Sequence, residues 1–214
     1  PIPGAHSDRL CTWAAEYGLY VCAGLTERDG SKLYNTAVLI DKRGKLLGKH
    51  RKINLLTEIE GSGLYSVGSK LEVFDTELGK LGIDICADNA RSSMVLGEAL
   101  CRMGAEIILS PSSWAVPADS RRAYYGAEWY EPYGKLAKLY GVPVVGVSNV
   151  GPVTGGAWAG WKCIGNSIAL FGDGESGVTL PYGEDAVCLR IIDVPLRKDS
   201  RYGTALATEV EAAR

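Results

Sequence analysis

The 214-residue sequence predicts one α/β domain, residues 1–214, with mixed β-sheets. Two observations support this prediction. Strand-like segments with a period of two alternate with helix-like segments in part of the chain. Elsewhere, consecutive strands are separated only by short turn sequences, which is typical of antiparallel hairpins. A fold that contains both kinds of connection has mixed rather than wholly parallel sheets.

The N-terminal quarter predicts a helix followed by hairpin strands. The helix covers 8–17 and ends at Gly18, a residue type that commonly stops helices. Strands follow over 19–27 and 33–41, joined by the turn sequence Arg-Asp-Gly-Ser. The segment 45–56 begins like a strand and ends in basic and polar residues.

The rest of the chain alternates between strands, helices and loops. The predicted elements are a glycine-rich loop over 57–70, two strands within 71–88, a helix near 93–103, a strand that begins at 105, a helix over 126–141 with Pro132 early in it, and strands within 142–151, 163–176 and 185–194.

Composition excludes several classes of function. The formal net charge of −2 and the pI near 5.8 give no electrostatic reason to expect nucleic acid or an anionic membrane as partner. No apolar run approaches the roughly 20 residues that a membrane-spanning helix needs. The six cysteines form no Cys-x-x-Cys pair, and two histidines are too few for a histidine metal site, so we predict no metal. Scattered cysteines in apolar segments predict reduced thiols in a cytoplasmic protein.

Cys86 is the first candidate for chemistry. Residues 81–86 alternate as a strand does, and a helix is predicted to start near Ser92 or Ser93 as its N-cap. Cys86 would therefore lie where a strand gives way to a helix, whose N-terminus favours a thiolate. A buried structural cysteine is the alternative, because free cysteine is among the most buried residue types. A nucleophilic thiolate also needs a cation or hydrogen-bond donors for the developing oxyanion, and a base.

Six features in order resemble the carbon–nitrogen hydrolases of the nitrilase superfamily. Lys52 precedes Cys86 by 34 positions, and the resemblance extends from the first predicted helix to about residue 197. The features are the segments 34–56, 81–88, 104–114, 146–151 and 165–175, and the glutamate Glu60.

The resemblance implies a cofactor-free Glu–Lys–Cys site. Cys86 matches the nucleophile and Lys52 the lysine, which with the backbone N–H of Ala87 would stabilise the oxyanion. Glu60 matches the glutamate that orients lysine and substrate, although Glu58 in the same loop is an alternative. The implied reaction is hydrolysis of a small linear amide, or of a nitrile or N-carbamoyl compound. It proceeds through a cysteine thioester and releases ammonia.

Further residues are candidates for the substrate pocket. Trp114 and Tyr65 are expected to line it, although an aromatic side chain more often belongs to the core. Asp88 matches the aspartate that follows the nucleophile by two positions, and we expect it to hold the turn. The loops 57–69 and 115–126 decide the substrate. In the second loop, Arg121 and Arg122 are candidates for a substrate carboxylate, or form a solvated face.

The sequence departs from the family pattern in two places. From Cys86 onward the sequence reads Cys-Ala-Asp-Asn, which departs from the family pattern and leaves the subfamily open. The general-base glutamate of the family lies upstream of the first predicted helix, and nothing in 1–10 matches it; Glu16 and Glu27 lie in other segments. We therefore expect an N-terminally incomplete chain of low activity, without the first strand and this glutamate. A natural, inactive scaffold or oligomerisation subunit is the alternative.

The resemblance also implies a fold and an assembly. The fold is a four-layer α-β-β-α sandwich with two mixed sheets packed face to face. Members of the family usually pair through helices beside the site, so a homodimer or larger homo-oligomer is expected. The predicted partner is a small-molecule amide or nitrile, with no nucleic acid and no membrane.

Overall fold

The computed structural model describes residues 1–57, 60, 63–120 and 127–196. The helices in these ranges are α1 (Ala5–Tyr17), α2 (Val95–Arg102) and α3 (Ala127–Tyr140). The strands are β1 (Val21–Asp29), β2 (Lys32–Ile40), β3 (Leu46–Arg51), β4 (Val73–Thr76), β5 (Gly79–Ile83), β6 (Ile107–Ser112), β7 (Ala115–Pro117), β8 (Val144–Ser148), β9 (Val150–Pro152), β10 (Trp161–Ile164), β11 (Ile168–Leu170) and β12 (Gly177–Thr179).

Two of the sheets form the body of the fold. The outer sheet has the order β1-β2-β3 and is antiparallel, as the predicted hairpins require. The larger sheet has the order β12-β11-β8-β6-β5-β4 and is mixed, since β5, β6 and β8 run parallel while their neighbours run antiparallel. A small antiparallel sheet, β7-β10-β9, stands beside them.

The layers follow from which apolar face each element buries. Helix α1 packs on the outer sheet, where Ala14 meets Val38 and Ile40. The opposite face of β2, with Ala37 and Leu39, packs against the larger sheet. Helices α2 and α3 cover the far side of that sheet, in a core that the side chains of Leu100, Ile108, Trp114, Tyr133, Leu136 and Val144 help to form. This order of layers confirms the predicted α-β-β-α sandwich.

Local sequence accounts for most element boundaries. Helix α1 ends at Gly18, which adopts the left-handed conformation (φ 64°) that a glycine accepts without strain. Helix α3 contains Pro132 in its N-terminal half and continues to Tyr140. The strand predicted within 185–194 is not formed, and Val187, Leu189 and Ile191 there are more than 80% exposed.

Two further findings concern the whole described chain. All six cysteines are free thiols. None of the helices in the described ranges combines the length and the apolar character that crossing a membrane requires.

Candidate active site

Cys86 stands at a sharp turn after strand β5. It begins a single 3₁₀ turn, Cys86–Asn89, and its φ of 49° lies in the left-handed region that a residue with a side chain rarely adopts. Such a conformation persists only where the surroundings hold it, and it is common at functional sites. Cys86 lines a cavity of about 530 Å³.

Helix α2 does not follow this turn directly. It begins at Val95 with no side-chain cap, so the predicted caps Ser92 and Ser93 do not serve α2. The hydroxyl of Ser93 instead donates to the carbonyl of Ala87. The hydroxyl of Ser93, which the sequence pattern assigned to the start of the helix, therefore closes the turn at Cys86.

Strand ends from both sheets meet at the cavity. Its apolar and polar wall residues are intermixed, which is typical of small-molecule sites, and its volume lies in their usual range. Besides Cys86, the wall includes Cys22, Gly24, Leu25, Thr26, Asn35, Lys52, Leu56, Glu60, Tyr65, Pro111, Ser112, Ser113, Val147, Ser148, Asn149 and Trp158.

Lys52 and Glu60 form a buried ion pair in this wall. Lys52 is 2% exposed and its Nζ bonds Oε2 of Glu60. The same oxygen accepts the backbone N–H of Leu56 at 2.9 Å, and Oε1 accepts the side-chain amide of Asn35 at 2.8 Å. Because both carboxylate oxygens are occupied, Glu60 is held in place and in turn holds the ammonium group. The alternative, Glu58, lies outside the described residues.

The electrostatics of Cys86 reflect two opposing effects. Burial raises the pKa of its thiol above the ordinary value, because a thiolate loses hydration there. The charge of Lys52 lowers that pKa, Glu60 raises it, and the hydroxyl of Ser112 and the backbone of Ser113 lower it. The cation beside the sulfur therefore opposes the cost of burying a thiolate.

Cys22 is a second thiol in the same cavity wall. Burial, with a further contribution from the charge of Asp84, raises its pKa to about 12. Cys22 thus remains a neutral thiol at physiological pH, and it provides an internal comparison for Cys86.

Asp88 lies behind the cavity rather than in its wall. It is fully buried, and its carboxylate accepts backbone N–H groups from Ile53 and Asn54 as well as from Ile85. The expectation that Asp88 holds the turn agrees with these contacts. Its candidacy for the pocket is corrected, because Asp88 is not among the residues that line the cavity.

Ala87 also lies outside the cavity wall. It is 7% exposed, and its carbonyl accepts the side-chain amide of Asn54 at 2.6 Å. That bond, with the one from Ser93, fixes the peptide that follows Ala87.

Of the two aromatic residues predicted to line the pocket, one lines it and the other belongs to the core. Tyr65 lines the cavity, and its hydroxyl lies 3.4 Å from Oγ1 of Thr26. Trp114 is fully buried in the core, where it stacks on Trp129 at a centroid distance of 4.3 Å. Trp158 is the tryptophan that lines the cavity, and no sequence pattern distinguished it from Trp114.

The sequence matches the family described as carbon-nitrogen hydrolase over residues 1–202. The chain belongs to the carbon-nitrogen hydrolase family. Its fold is that of the nitrilase superfamily: a yeast member, Nit3 of Saccharomyces cerevisiae (branch 10), matches with a TM-score of 0.71 and 26% identity, over 86% of this chain and 64% of that one.

Two relatives illustrate the range of activities in this carbon-nitrogen hydrolase family. A bifunctional nitrilase/nitrile hydratase, NIT4A of Nicotiana tabacum, is 41% identical over 124 residues, which are 56% of this chain and 32% of the relative. An omega-amidase, NIT2 of Xenopus tropicalis, is 33% identical over 121 residues, 53% of this chain and 43% of the relative. The matched region thus spans about a third of the length of NIT4A and less than half of the length of NIT2.

Among the other charged candidates of this carbon-nitrogen hydrolase, the structure places Glu27 in an ion-pair cluster. Glu27 is 1% exposed and is occupied by Lys49, Arg51 and Thr36, which lower its pKa to about 2 against the effect of burial. Glu27 lies on the face of the outer sheet that α1 covers and is not among the residues that line the cavity. Arg121 and Arg122 lie outside the described residues.

One buried carboxyl group was not singled out by the sequence. Asp84 is fully buried two residues before Cys86, and neither of its oxygens has a hydrogen-bond partner among the described residues. Burial raises its pKa to about 7, an effect that the neighbouring Ser110 hydroxyl partly offsets. Asp84 is therefore a carboxylic acid, rather than a carboxylate, over most of the acidic pH range.

Proposed function

We propose that the chain carries the Cys86–Lys52–Glu60 site of a hydrolase that cleaves a non-peptide carbon–nitrogen bond. The observation that carries this proposal is the placement of Lys52, held by Glu60, in the wall of the cavity into which Cys86 opens. The conformation of Cys86 at positive φ supports it as well. Membership of the carbon-nitrogen hydrolase family agrees with this chemistry.

In the first half of the reaction, the Cys86 thiolate attacks the carbonyl carbon of an amide. The carbon–sulfur bond forms, and the electron pair of the C=O moves onto oxygen to give a tetrahedral oxyanion. Lys52 and the backbone N–H of Ala87 stabilise that charge. The oxyanion collapses, the carbon–nitrogen bond breaks, and ammonia leaves after taking up a proton. A thioester on Cys86 remains.

In the second half, water attacks the thioester carbon, the carbon–sulfur bond breaks, and the acyl group leaves as the carboxylic acid while the thiol of Cys86 is regenerated. Both halves need a base that accepts the proton of the thiol or of water. Glu60 is a poor candidate, because the contacts with Lys52, Leu56 and Asn35 occupy both of its oxygens. Its role in this proposal is to orient Lys52, and the family assigns the base to a further glutamate.

The substrate is a small linear amide. A nitrile or an N-carbamoyl compound is the near alternative, because a thiolate can attack the electrophilic carbon of each. Lys52 and the backbone N–H of Ala87 would then stabilise the negative charge that develops on oxygen, or on nitrogen in the case of a nitrile. The nitrilase and omega-amidase names of the two relatives favour neither amide nor nitrile.

Acyl transfer tests the proposal directly. The protein as its source cell makes it is incubated with butyramide and butyronitrile, and ammonia is measured in the presence and absence of hydroxylamine. We expect ammonia release, hydroxamate formation, and a butyryl adduct on the Cys86 peptide by mass spectrometry. Cys86→Ala abolishes all three, whereas Cys22→Ala, which removes the other thiol of the same cavity, leaves them. Full hydrolysis by Cys86→Ala would refute the proposal.

A catalytically inactive scaffold or oligomerisation subunit is the second candidate. The raised pKa of the Cys86 thiol favours it, because a buried thiol without an adjacent base is a weak nucleophile. Absence of ammonia release and of hydroxamate from every amide, nitrile and N-carbamoyl compound in such an assay would support it.

Assembly and location complete the proposal. We expect a homodimer or larger homo-oligomer in the cytoplasm. Light scattering coupled to size exclusion measures the first, and cell fractionation the second.

A further inference from the structure

Strand β3 and Lys52, the residue that follows it, carry a run of four basic residues that fall into two rows. Lys49 and Arg51 both bond Glu27 on the face of the outer sheet that α1 covers. His50 pairs in register with Ala37, whose side chain packs toward the larger sheet. Side chains alternate along a strand, and Lys52, directly after β3, continues this alternation into the cavity wall, so it lies on the same side as His50.

His50 forms a polar contact between the two sheets. Its side chain is 2% exposed, and Nε2 lies 2.8 Å from Oδ2 of the fully buried Asp88. A carboxylate only accepts hydrogen bonds, so the imidazole carries a proton on Nε2 and donates it to this contact. Nδ1 has no partner within the described part of the chain. The single bond from Nε2 therefore sets the orientation of the ring.

Asp88 connects His50 to the backbone on both sides of the candidate site, next to Lys52 and next to Cys86. Its Oδ1 accepts N–H groups from Ile53 at 3.0 Å and Asn54 at 2.6 Å, the two residues after Lys52. Its Oδ2 accepts the N–H of Ile85 at 3.1 Å, the residue before Cys86. One carboxylate thus ties the backbone that carries the lysine to the backbone that carries the thiol.

We propose that His50 is a positioning residue, which through Asp88 fixes the Lys52 ammonium group relative to the Cys86 thiol. This inference rests on the proposed function, in which those two groups act together. Its physical basis is that the lysine and the thiol belong to different sheets, so their separation depends on contacts between sheets. A displacement of about 1 Å can reduce catalysis roughly a hundredfold.

The charges around the thiol provide a readout that needs no substrate. Lys52 lowers the pKa of Cys86 and Glu60 raises it, while Tyr133 from α3 faces the same sulfur. Asp84 faces the His50–Asp88 pair from the end of β5. If Lys52 moves away when His50 is replaced, the thiol loses its nearest cation and its pKa rises.

The test compares three variants of the full protein. His50→Phe keeps a planar ring but removes the donor to Asp88, and His50→Gln restores an N–H donor of similar reach. Thr36→Val is the matched control, since it removes another buried hydrogen bond of the outer sheet, that to Glu27 on the face toward α1. The rate of iodoacetamide alkylation of the Cys86 peptide is followed by mass spectrometry from pH 6 to 10, together with kcat and KM for butyramide.

We expect His50→Phe to shift the alkylation midpoint upward by about one pH unit and to lower kcat at least tenfold with KM changed less than threefold. His50→Gln recovers most of both, and Thr36→Val matches the wild type. A folded His50→Phe protein with the wild-type alkylation profile and kcat would overturn the inference. If His50→Phe does not fold, His50→Asn gives the same comparison, because its amide is too short to reach Asp88. An unchanged alkylation profile refutes the positioning role even where hydrolysis occurs, whereas absent hydrolysis in the wild type refutes the proposed function instead.

Discussion

The side-chain amide of Asn35 donates a 2.8 Å hydrogen bond to Oε1 of Glu60, so strand β2 holds the glutamate that holds Lys52. The backbone carbonyl of Asn35 also accepts the backbone N–H of Lys52, at 2.8 Å. A single residue of the outer sheet therefore contacts both members of the buried ion pair.

Replacing Asn35 should loosen this pair. A hydrogen bond to a charged group contributes about 1.5–3 kcal/mol, so we expect Asn35→Leu to lower kcat about ten- to a hundredfold. Asn35→Asp should lower it further, because a second carboxylate would face Glu60. Steady-state kinetics with butyramide measure both. A kcat within twofold of the wild type in Asn35→Leu would contradict the assignment of Glu60 as the support of Lys52.

Removing the charge of Lys52 should reduce the difference in alkylation rate between Cys86 and Cys22. In the wild type, Cys86 should react with iodoacetamide at pH 8 faster than Cys22, whose pKa of about 12 keeps it protonated. Lys52→Met removes the charge that lowers the pKa of Cys86, so alkylation of Cys86 should slow by about tenfold for each unit that this pKa rises. The comparison is made on the two cysteine peptides of one sample. Equal rates for both thiols in the wild type would contradict the activation of Cys86.

The buried Asp84 should make stability depend on pH. Its pKa rises from the ordinary value of 3.8 to about 7 in the folded protein, chiefly through burial. A raised pKa stabilises the folded state below about pH 4, and this contribution is lost as the pH rises to about 7. Three pKa units correspond to about 4 kcal/mol, an upper bound on the decrease.

Asp84→Asn should remove that decrease while keeping the shape of the side chain. The free energy of unfolding, measured in urea at pH 5 and pH 8, should fall between these values in the wild type more than in the variant. Asp75→Asn on the neighbouring strand β4 is the matched control, because Asp75 is exposed. A difference between pH 5 and pH 8 that persists unchanged in Asp84→Asn would assign it to other groups.

The two tryptophans discussed above should affect different quantities. Trp114 is fully buried in the core, so Trp114→Leu should destabilise the protein by about 2–4 kcal/mol. Trp158 lines the cavity, so Trp158→Leu should raise KM with a much smaller loss of stability. Urea denaturation and steady-state kinetics of both variants check this. The reverse pattern would mean that the cavity is not the substrate site.

Local patterns predicted the strand that leads to Cys86 but not the backbone conformation of Cys86 itself. The alternation within 81–86 located strand β5, and the resemblance to the nitrilase superfamily implied that Lys52 and Glu60 lie beside Cys86, in whose cavity wall both are found. These features depend on residues near one another in sequence or on an ordered set of motifs. The left-handed φ of Cys86 was not predicted, because the sequence pattern of a strand end does not specify it.

Contacts between distant residues account for what the sequence did not predict. His50 and Asp88 are 38 positions apart, and their contact depends on how the two sheets pack. Trp114 and Trp158 have the same side chain, and only the packing of α3 against β6 and its following residues makes one of them core. Ser93 was assigned to a helix start because local sequence gives the residue type, whereas the partner of its hydroxyl depends on the path of the turn.

The basic residues 49–52, along β3 and directly after it, alternate between the two faces of the outer sheet. The candidate site is therefore sensitive to the number of residues in this segment as well as to their type. A strand shifted by one position sends every side chain to the opposite face. One residue inserted after Gly48, or one deleted there, would direct Lys49 and Arg51 between the sheets and turn His50 and Lys52 toward Glu27 and α1. Every proposed catalytic side chain would still be present in such a protein, yet the thiol would lose its cation and Glu60 its partner. Members of this family should therefore tolerate insertions in the turn at 42–44 far better than inside this strand.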